Sequence, residues 1–239
     1  VTPFCSCSSI PMFIGLIEAG VPLGVTFSFL ITSPIVNEAV VIILMGAFGI
    51  KSAILYIISG VAIGVTGGYI IGKLKLEGEI EPHVFNVKIK RKEIKKLNFK
   101  DRHIFAKDEV VTIIKKIWFY MMIGIAMGAV IHGWVPSDFL AKYAGKDNPF
   151  AVIIAVIMGV PLYSSATGMI PVAQALIAKG VSLGSAMAFM LAVVTLSLPE
   201  MIILRRVIKT KLIAVFVIIT SIAIIVTGYM FNILEPFLK

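Results

Sequence analysis

Two cysteines, Cys5 and Cys7, stand one residue apart in V-T-P-F-C-S-C-S-S-I-P at positions 1–11, and the chain has no others. Thiolates are soft donors, suited to soft cations and trivalent metalloids. In extended backbone, residues two apart point to the same side, so both sulfurs can line one cavity. Pro3 and Pro11 bracket the pair, and Ser8 and Ser9 follow it. The alternatives for the two thiols are small buried side chains without a ligand role, or a redox-active dithiol. A second stretch has the same punctuation without sulfur: P-L-Y-S-S-A-T-G-M-I-P at 161–171, with Pro161 and Pro171 at its ends and Ser164, Ser165 and Thr167 between them.

Ser8, Ser9 and Thr167 precede apolar segments whose first turns are expected to hold Pro11 and Pro171. Hydroxyl caps followed by proline read as helix starts. The free N–H groups and positive dipole ends of such helices suit an anionic or electron-rich solute. The hydroxyls can equally serve only to satisfy broken backbone. Two further polar sites, Asn37-Glu38 and Pro199-Glu200, interrupt apolar sequence. A carboxylate inside a membrane is functional by default, here as a proton carrier or gate. Its bland counterpart is a carboxylate reaching back to water. Glu18 and Lys179 read as interfacial. His83, His103 and His132 lack metal-ligand spacing, and no cofactor is read from the sequence.

The elements that must position these residues are membrane helices. Of 239 residues, 59% are hydrophobic and 15% charged, against roughly 25% charged in soluble domains. With a mean hydropathy of +1.01, that composition places the chain in a lipid bilayer with several spans. Prolines and hydroxyls at membrane depth survive only where they are buried in protein or line a cavity. The net charge of +9 is read as membrane topology and not as nucleic-acid binding, because the basic residues cluster beside membrane segments. The sequence opens inside a motif, which points to roughly 40–50 further residues upstream, by comparison with the second half and usual span lengths.

In order, 10–19 is a short apolar helix, and 23–45 is long enough to cross, with Pro34 near its middle. A second span covers 52–72. Residues 73–116 carry 13 Lys/Arg and 7 Asp/Glu, including a strand-like alternation at 84–90. Spans follow at 112–134, 183–204 and 212–234, with 149–179 apolar but interrupted. The expected fold is an all-α membrane protein with about five full spans.

The chain contains itself twice. P-M-F-I-G-L-I-E-A-G-V-P-L-G at 11–24 lies over P-V-A-Q-A-L-I-A-K-G-V-S-L-G at 171–184, a shift of 160 residues. Glycine and proline in register, not only Leu and Ile, argue against chance similarity of apolar helices. Charge then orients the copies. With 73–116 and the basic loop 205–211 placed on the cytoplasmic side, 17 of 22 Lys/Arg lie there, and the C-terminus lies outside. The segment 149–179 then starts and ends outside, as a re-entrant hairpin, and the first hairpin opens inward. Inverted repeats with broken helices meeting at mid-membrane are a secondary-transporter architecture. The expected organisation is a first repeat over 1–72, N-terminally incomplete, a basic loop over 73–111 and an inverted second repeat over 112–239.

The strings T-P-F-C-S-C-S-S-I-P, G-L-I-E-A-G-V-P-L-G and F-L-I-T-S-P-I-V-N-E within residues 2–38 resemble the predicted-permease family that includes bacterial organoarsenical efflux permeases. The likeness extends over essentially the whole chain. It implies export of small soft solutes, trivalent methylated or aromatic arsenicals being the best-known class, and some relatives resemble transition-metal exporters. Cys5 and Cys7 fall on the cysteines of the family motif. The reading that results is a multi-pass permease of the cell membrane, not an enzyme. It moves a thiophilic solute, an organoarsenical or a soft metal ion, past Cys5 and Cys7, with self-association left open. The alternative is a membrane dithiol oxidoreductase relaying electrons through Cys5/Cys7 to a thioredoxin-like partner.

Overall fold

The computed structural model describes residues 6–74, 76–80, 122, 148–162, 164–205 and 207–238. Among them the protein is all-helical, apart from one isolated antiparallel bridge between Ile80 and Ile208. Helices α1 (Ser6–Glu18), α2 (Leu23–Ile35), α3 (Glu38–Phe48) and α4 (Ile50–Lys73) are followed by a 3-10 turn at Leu76–Glu79. After the interval come α5 (Ala151–Gly159), α6 (Ala166–Ala178), α7 (Leu183–Thr195), α8 (Leu198–Leu204) and α9 (Thr210–Leu238). The expected span 112–134 and the strand-like run 84–90 fall outside the described residues, Met122 excepted.

Three stretches are long and apolar enough to cross a bilayer: Ile50–Lys73, Leu183–Leu204 taken across its break, and Thr210–Phe237. The pair Leu23–Ile35 and Val40–Phe48 makes a fourth only as a bent span, with a 49° angle between its parts. The expected spans at 23–45 and 183–204 are both interrupted, at residues 36–37, just after Pro34, and at 196–197. Proline chemistry accounts for the breaks. Pro199 has no N–H to return to the Thr195 carbonyl, and Pro34 withholds the bond to Leu30, so each helix stops nearby.

Helix bounds recur at a shift of 160 residues: α1 with α6, α2 with α7, and the starts of α3 with α8 and of α4 with α9. The stops recur too. Gly20 and Gly180 have φ of 82° and 91°, which suits a residue without Cβ. Around them, Val21 N donates to Leu16 O and Gly20 N to Ile17 O, as Val181 N does to Leu176 O and Gly180 N to Ile177 O. This is the six-to-one, five-to-two bonding of a Schellman stop, made twice.

The recurring units run in opposite directions. Lys51 Nζ at the start of α4 donates to Phe237 O near the end of α9, at 3.3 Å. At the other end, Lys209 N donates to Glu79 O at 2.8 Å. Hence α4 and α9, equivalent in register, are antiparallel. On α9, Tyr229 Oη donates to Pro149 O (2.6 Å) and Asn232 Oδ1 accepts from Gly184 N (2.8 Å). The approach to α5 and the start of α7 thus lie at one level, and the chain between them goes in and returns. In the first unit Gly24, at the start of α2, packs on Gly68 and Gly72 near the opposite end of the bundle.

Glycine makes the tightest contacts. A Cβ on Gly24 would come within 2.7 Å of Gly68 O, Gly64 faces Thr32, and Gly68 faces Ser28. In the second unit Gly184 faces Gly228 and Asn232 at the same register. Small residues that let backbones approach are a main source of helix association in lipid, where burial gives no drive. Outward, α4 exposes Ile54, Ile58, Val61, Val65 and Tyr69, and α9 exposes Ile218, Ile222, Val226, Ile233 and Phe237. Apolar side chains at three- to four-residue spacing on an outer face match a hydrocarbon surround.

Candidate functional site

Each short helix of one unit packs on the broken span of the other: α1 against α8, and α6 against α3. The central α2 and α7 also touch, as do α4 and α9. A stack of rings ties α1 into this arrangement. Phe13 lies edge-on to Phe27 at 5.1 Å between centroids, and Phe27 meets Phe216 of α9 at 5.7 Å.

The second tip gathers the hydroxyls expected there. Ser165, not Thr167, is the N-cap of α6, and its Oγ accepts from Gly168 N at 3.1 Å. Thr167 Oγ1 lies 3.1 Å from Ser165 Oγ, and Ser164 Oγ contacts Ser165 O at 3.5 Å. Thr167 is the second residue of α6 and Pro171 the sixth, so the expected first-turn proline is corrected. Ser165 outcompetes Thr167 as the cap because its backbone is extended and its hydroxyl reaches the N3 amide. One turn in, Pro171 has no N–H for the Thr167 carbonyl, which lacks that i+4 donor. Pro161 sits in the turn after α5.

At the first tip, α1 already includes Ser6, so Ser8 and Ser9 lie within the helix and Pro11 is its sixth residue. The expectation that these serines precede the helix is corrected. At the 160-residue shift, Cys7 matches Thr167 and Cys5 matches Ser165. Pro3, Cys5 and the side chains of Cys7 and Ser8 lie outside the described residues. Ser9 is buried, and its Oγ is 2.5 Å from Ser33 Oγ on α2. Sequence reasoning passed over Ser33, although a hydroxyl beside Pro34 in an apolar run was a signal for it. Pro34 itself is buried in the last turn of α2. Met169 is buried and Met12 exposed.

The two carboxylates part company. Glu38 opens α3 and is exposed, next to Asn37 at the first break. Glu200 sits in the first turn of α8, 2% exposed. Its register partner is Val40, not Glu38. Among the described residues Glu200 Oε2 has no hydrogen-bond partner, and neither does Ser197 Oγ at the second break. That break is tied to the second tip, because Leu198 N donates to Val160 O at 3.1 Å. Among the described residues, the hydroxyls of Tyr56 and Thr220 are likewise buried without partners. Their signal in the sequence was only polarity within apolar helices. Among the described residues no three His, Cys, Asp or Glu groups converge as metal ligands.

An all-helical bundle with three or four stretches able to cross a bilayer defines a multi-pass membrane protein. The family model described as "Predicted permease" (ArsP_1) matches residues 1–233, so the chain belongs to this predicted-permease family. Among relatives, UPF0718 protein MJ0584 of Methanocaldococcus jannaschii is 32% identical over 118 residues, 48% of this chain and 32% of that one. A Streptococcus mutans protein, named as a candidate subunit of a two-component membrane permease complex, is 23% identical over 232 residues. That match covers 95% of this chain and 74% of the relative. UPF0718 protein YcgR of Bacillus subtilis is 31% identical over 72 residues, 30% of this chain and 24% of that one. The chain therefore spans about a third of the archaeal relative's length. No solved structure matches the chain.

Proposed function

We propose that this permease is a secondary transporter that exports a small thiophilic solute, a trivalent organoarsenical or a soft metal ion. The observation that carries the reading is the crossed packing of α1 on α8 and of α6 on α3. Each short helix is thereby set against the interrupted span of the opposite unit. Cys5 and Cys7 capture the solute. Ser8, Ser9, Ser164, Ser165 and Thr167 complete the binding surface. Asn37, Glu38 and Glu200 couple or gate, and the breaks near Pro3, Pro11, Pro34, Pro161 and Pro171 keep backbone carbonyls and amides available. In this scheme 1–72 and 112–239 are the two repeats, 73–111 and 205–211 face the cytoplasm, and the C-terminus faces outward in the cell membrane. The Streptococcus relative's name adds a second subunit to the candidate partners.

The test is resistance to trivalent organoarsenicals and soft metals in cells lacking their own exporters. The intact chain is expected to confer it, and Cys5→Ser with Cys7→Ser to abolish it at equal membrane abundance. Full resistance in the double variant defeats the thiol capture. Thiols that cycle through a disulfide in alkylation assays would favour the dithiol oxidoreductase instead.

A further inference from the structure

The second break carries Ser197-Leu198-Pro199-Glu200, the S-x-x-E spacing of a capping box. In that motif the serine hydroxyl and the glutamate carboxylate each close on a backbone amide of the helix start. Here Ser197 is the N-cap of α8, but its side chain makes no cap bond. Its Oγ and Glu200 Oε2 are both buried without a partner, at 0% and 2% residue exposure. A box with the right residues at the right spacing has been left open.

The repeat register brings a third oxygen toward the same place. Thr220 on α9 is fully buried, and its Oγ1 has no partner. Thr220 lies 160 residues beyond Gly60. A Cβ on Gly60 would lie 3.2 Å from Val36 Cγ2 and 3.5 Å from Ile35 Cβ, at the first break. The repeat register therefore sets Thr220 against Thr195 and Leu196, at the second break. The first unit has Asn37, Val40 and Gly60 where the second has Ser197, Glu200 and Thr220. Two of the three oxygen-bearing side chains are confined to the second unit.

A buried carboxylate is costly unless something neutralises it, and among the described residues Glu200 has no cationic partner. A proton would neutralise the carboxylate, and its single O–H could engage at most one of the two hydroxyl oxygens. A small cation uses all three, and the C-terminal end of the 13-residue α7 turns the negative end of its dipole toward the same break. Unwound backbone and half-helix C-termini are also where coupling sodium ions are held in transporters with broken helices. We propose that the break between α7 and α8 is a sodium site, formed by Glu200, Ser197 and Thr220 with backbone carbonyls of the α7 terminus. This deepens the coupling role proposed above for Glu200 and does not depend on what the thiols bind.

The test is saturable 22Na+ binding to the purified full chain in detergent, without solute, paired with thermal unfolding in NaCl, KCl and choline chloride at one ionic strength. Sodium is expected to bind and to raise Tm relative to choline. Glu200→Gln should abolish both effects, and Ser197→Ala and Thr220→Val should each weaken binding about tenfold. All three variants replace side chains by near-isosteres, and a monodisperse elution profile shows that they fold. Equal Tm in sodium and choline, stabilisation that follows pH alone, or full binding by Glu200→Gln overturns the assignment. Sodium binding that survives in Cys5→Ser/Cys7→Ser, alongside lost resistance, keeps the two proposals separate. Resistance that is insensitive to the thiols fails the solute reading only.

Discussion

Ser9 of α1 and Ser33 of α2 share a hydrogen bond of 2.5 Å between their hydroxyls. At the 160-residue shift the same two positions are Met169 and Val193, so the units solve one contact in two ways. Ser33→Ala should lower stability by about 1 kcal/mol, the usual net worth of a hydrogen bond lost in a protein interior. The double variant with Ser9→Ala should cost less than the sum of the singles, since both remove the same interaction. Unfolding of purified protein in detergent measures the cycle, and strict additivity would show that the two hydroxyls do not couple.

The glycines divide into two kinds that alanine should separate. At Gly68 a Cβ would meet Ser28 and the Gly24 carbonyl, whereas at Gly15 and Gly46 it would meet nothing within 4 Å. Gly68→Ala should destabilise by about 1–3 kcal/mol through overpacking. Gly15→Ala and Gly46→Ala, within α1 and α3, should stabilise by roughly 0.5–1 kcal/mol through helix propensity. Thermal unfolding of the three single variants decides, and equal behaviour would remove the glycine seam as an explanation of α2–α4 packing.

Asn232 stands where the first unit has Gly72, and its Oδ1 accepts from Gly184 N at 2.8 Å. It closes a helix-start amide with a side chain from another helix. Asn232→Leu should cost about 1–3 kcal/mol, the range for stranding a buried donor. Gly72→Ala should be milder, because its contact with Gly24 has no hydrogen bond to lose. Hydrogen exchange at Gly184 provides the direct readout, with faster exchange expected only in Asn232→Leu.

The ends of the bundle carry a labelling prediction. Glu79 lies 3.5 Å from Lys211 and 3.9 Å from Lys209, and Lys51 reaches Phe237 O at the other end. Cysteines placed at Gly78 and Lys211 should react with an impermeant maleimide from one face of the membrane, and those at Lys51 and Phe237 from the opposite face. The background is the chain with its two native cysteines changed to serine. Labelling of positions 78 and 211 from different faces would contradict the antiparallel α4–α9 pair. Lys211→Ala itself should shift stability by less than about 1 kcal/mol, as expected of an exposed ion pair.

Much of this was legible in the residues. The shift of 160, read from Gly20/Gly180 and Pro11/Pro171, reappears in helix bounds and in the paired glycine stops. Glycine and proline mark backbone conformations that few other residues tolerate, so they preserve register where Leu and Ile drift. The breaks at 36–37 and 196–197 were harder to read. Hydropathy over a window stays high across a two-residue interruption, and only Pro34, Pro199 and the polar residues beside them betray it. Glu38 and Glu200 looked alike because each lies in apolar sequence. Burial separates them, and burial depends on which face of α3 or α8 meets another helix. Ser33, Ser197 and Thr220 were hidden for a related reason, since a lone hydroxyl in an apolar helix commonly bonds its own backbone.

The crossed packing of α1 on α8 and α6 on α3 bears on leakage. A carrier open at both ends, even briefly, is a hole through which ions run down their gradients. Here each short helix packs both on its own unit's central helix, α1 on α2 and α6 on α7, and on the broken span of the opposite unit. The α2–α7 and α4–α9 contacts join the units, so a displacement of one short helix is linked through them to the seat of the other. If the protein is the carrier proposed above, that linkage interlocks its two mouths, like the doors of an airlock worked by one lever.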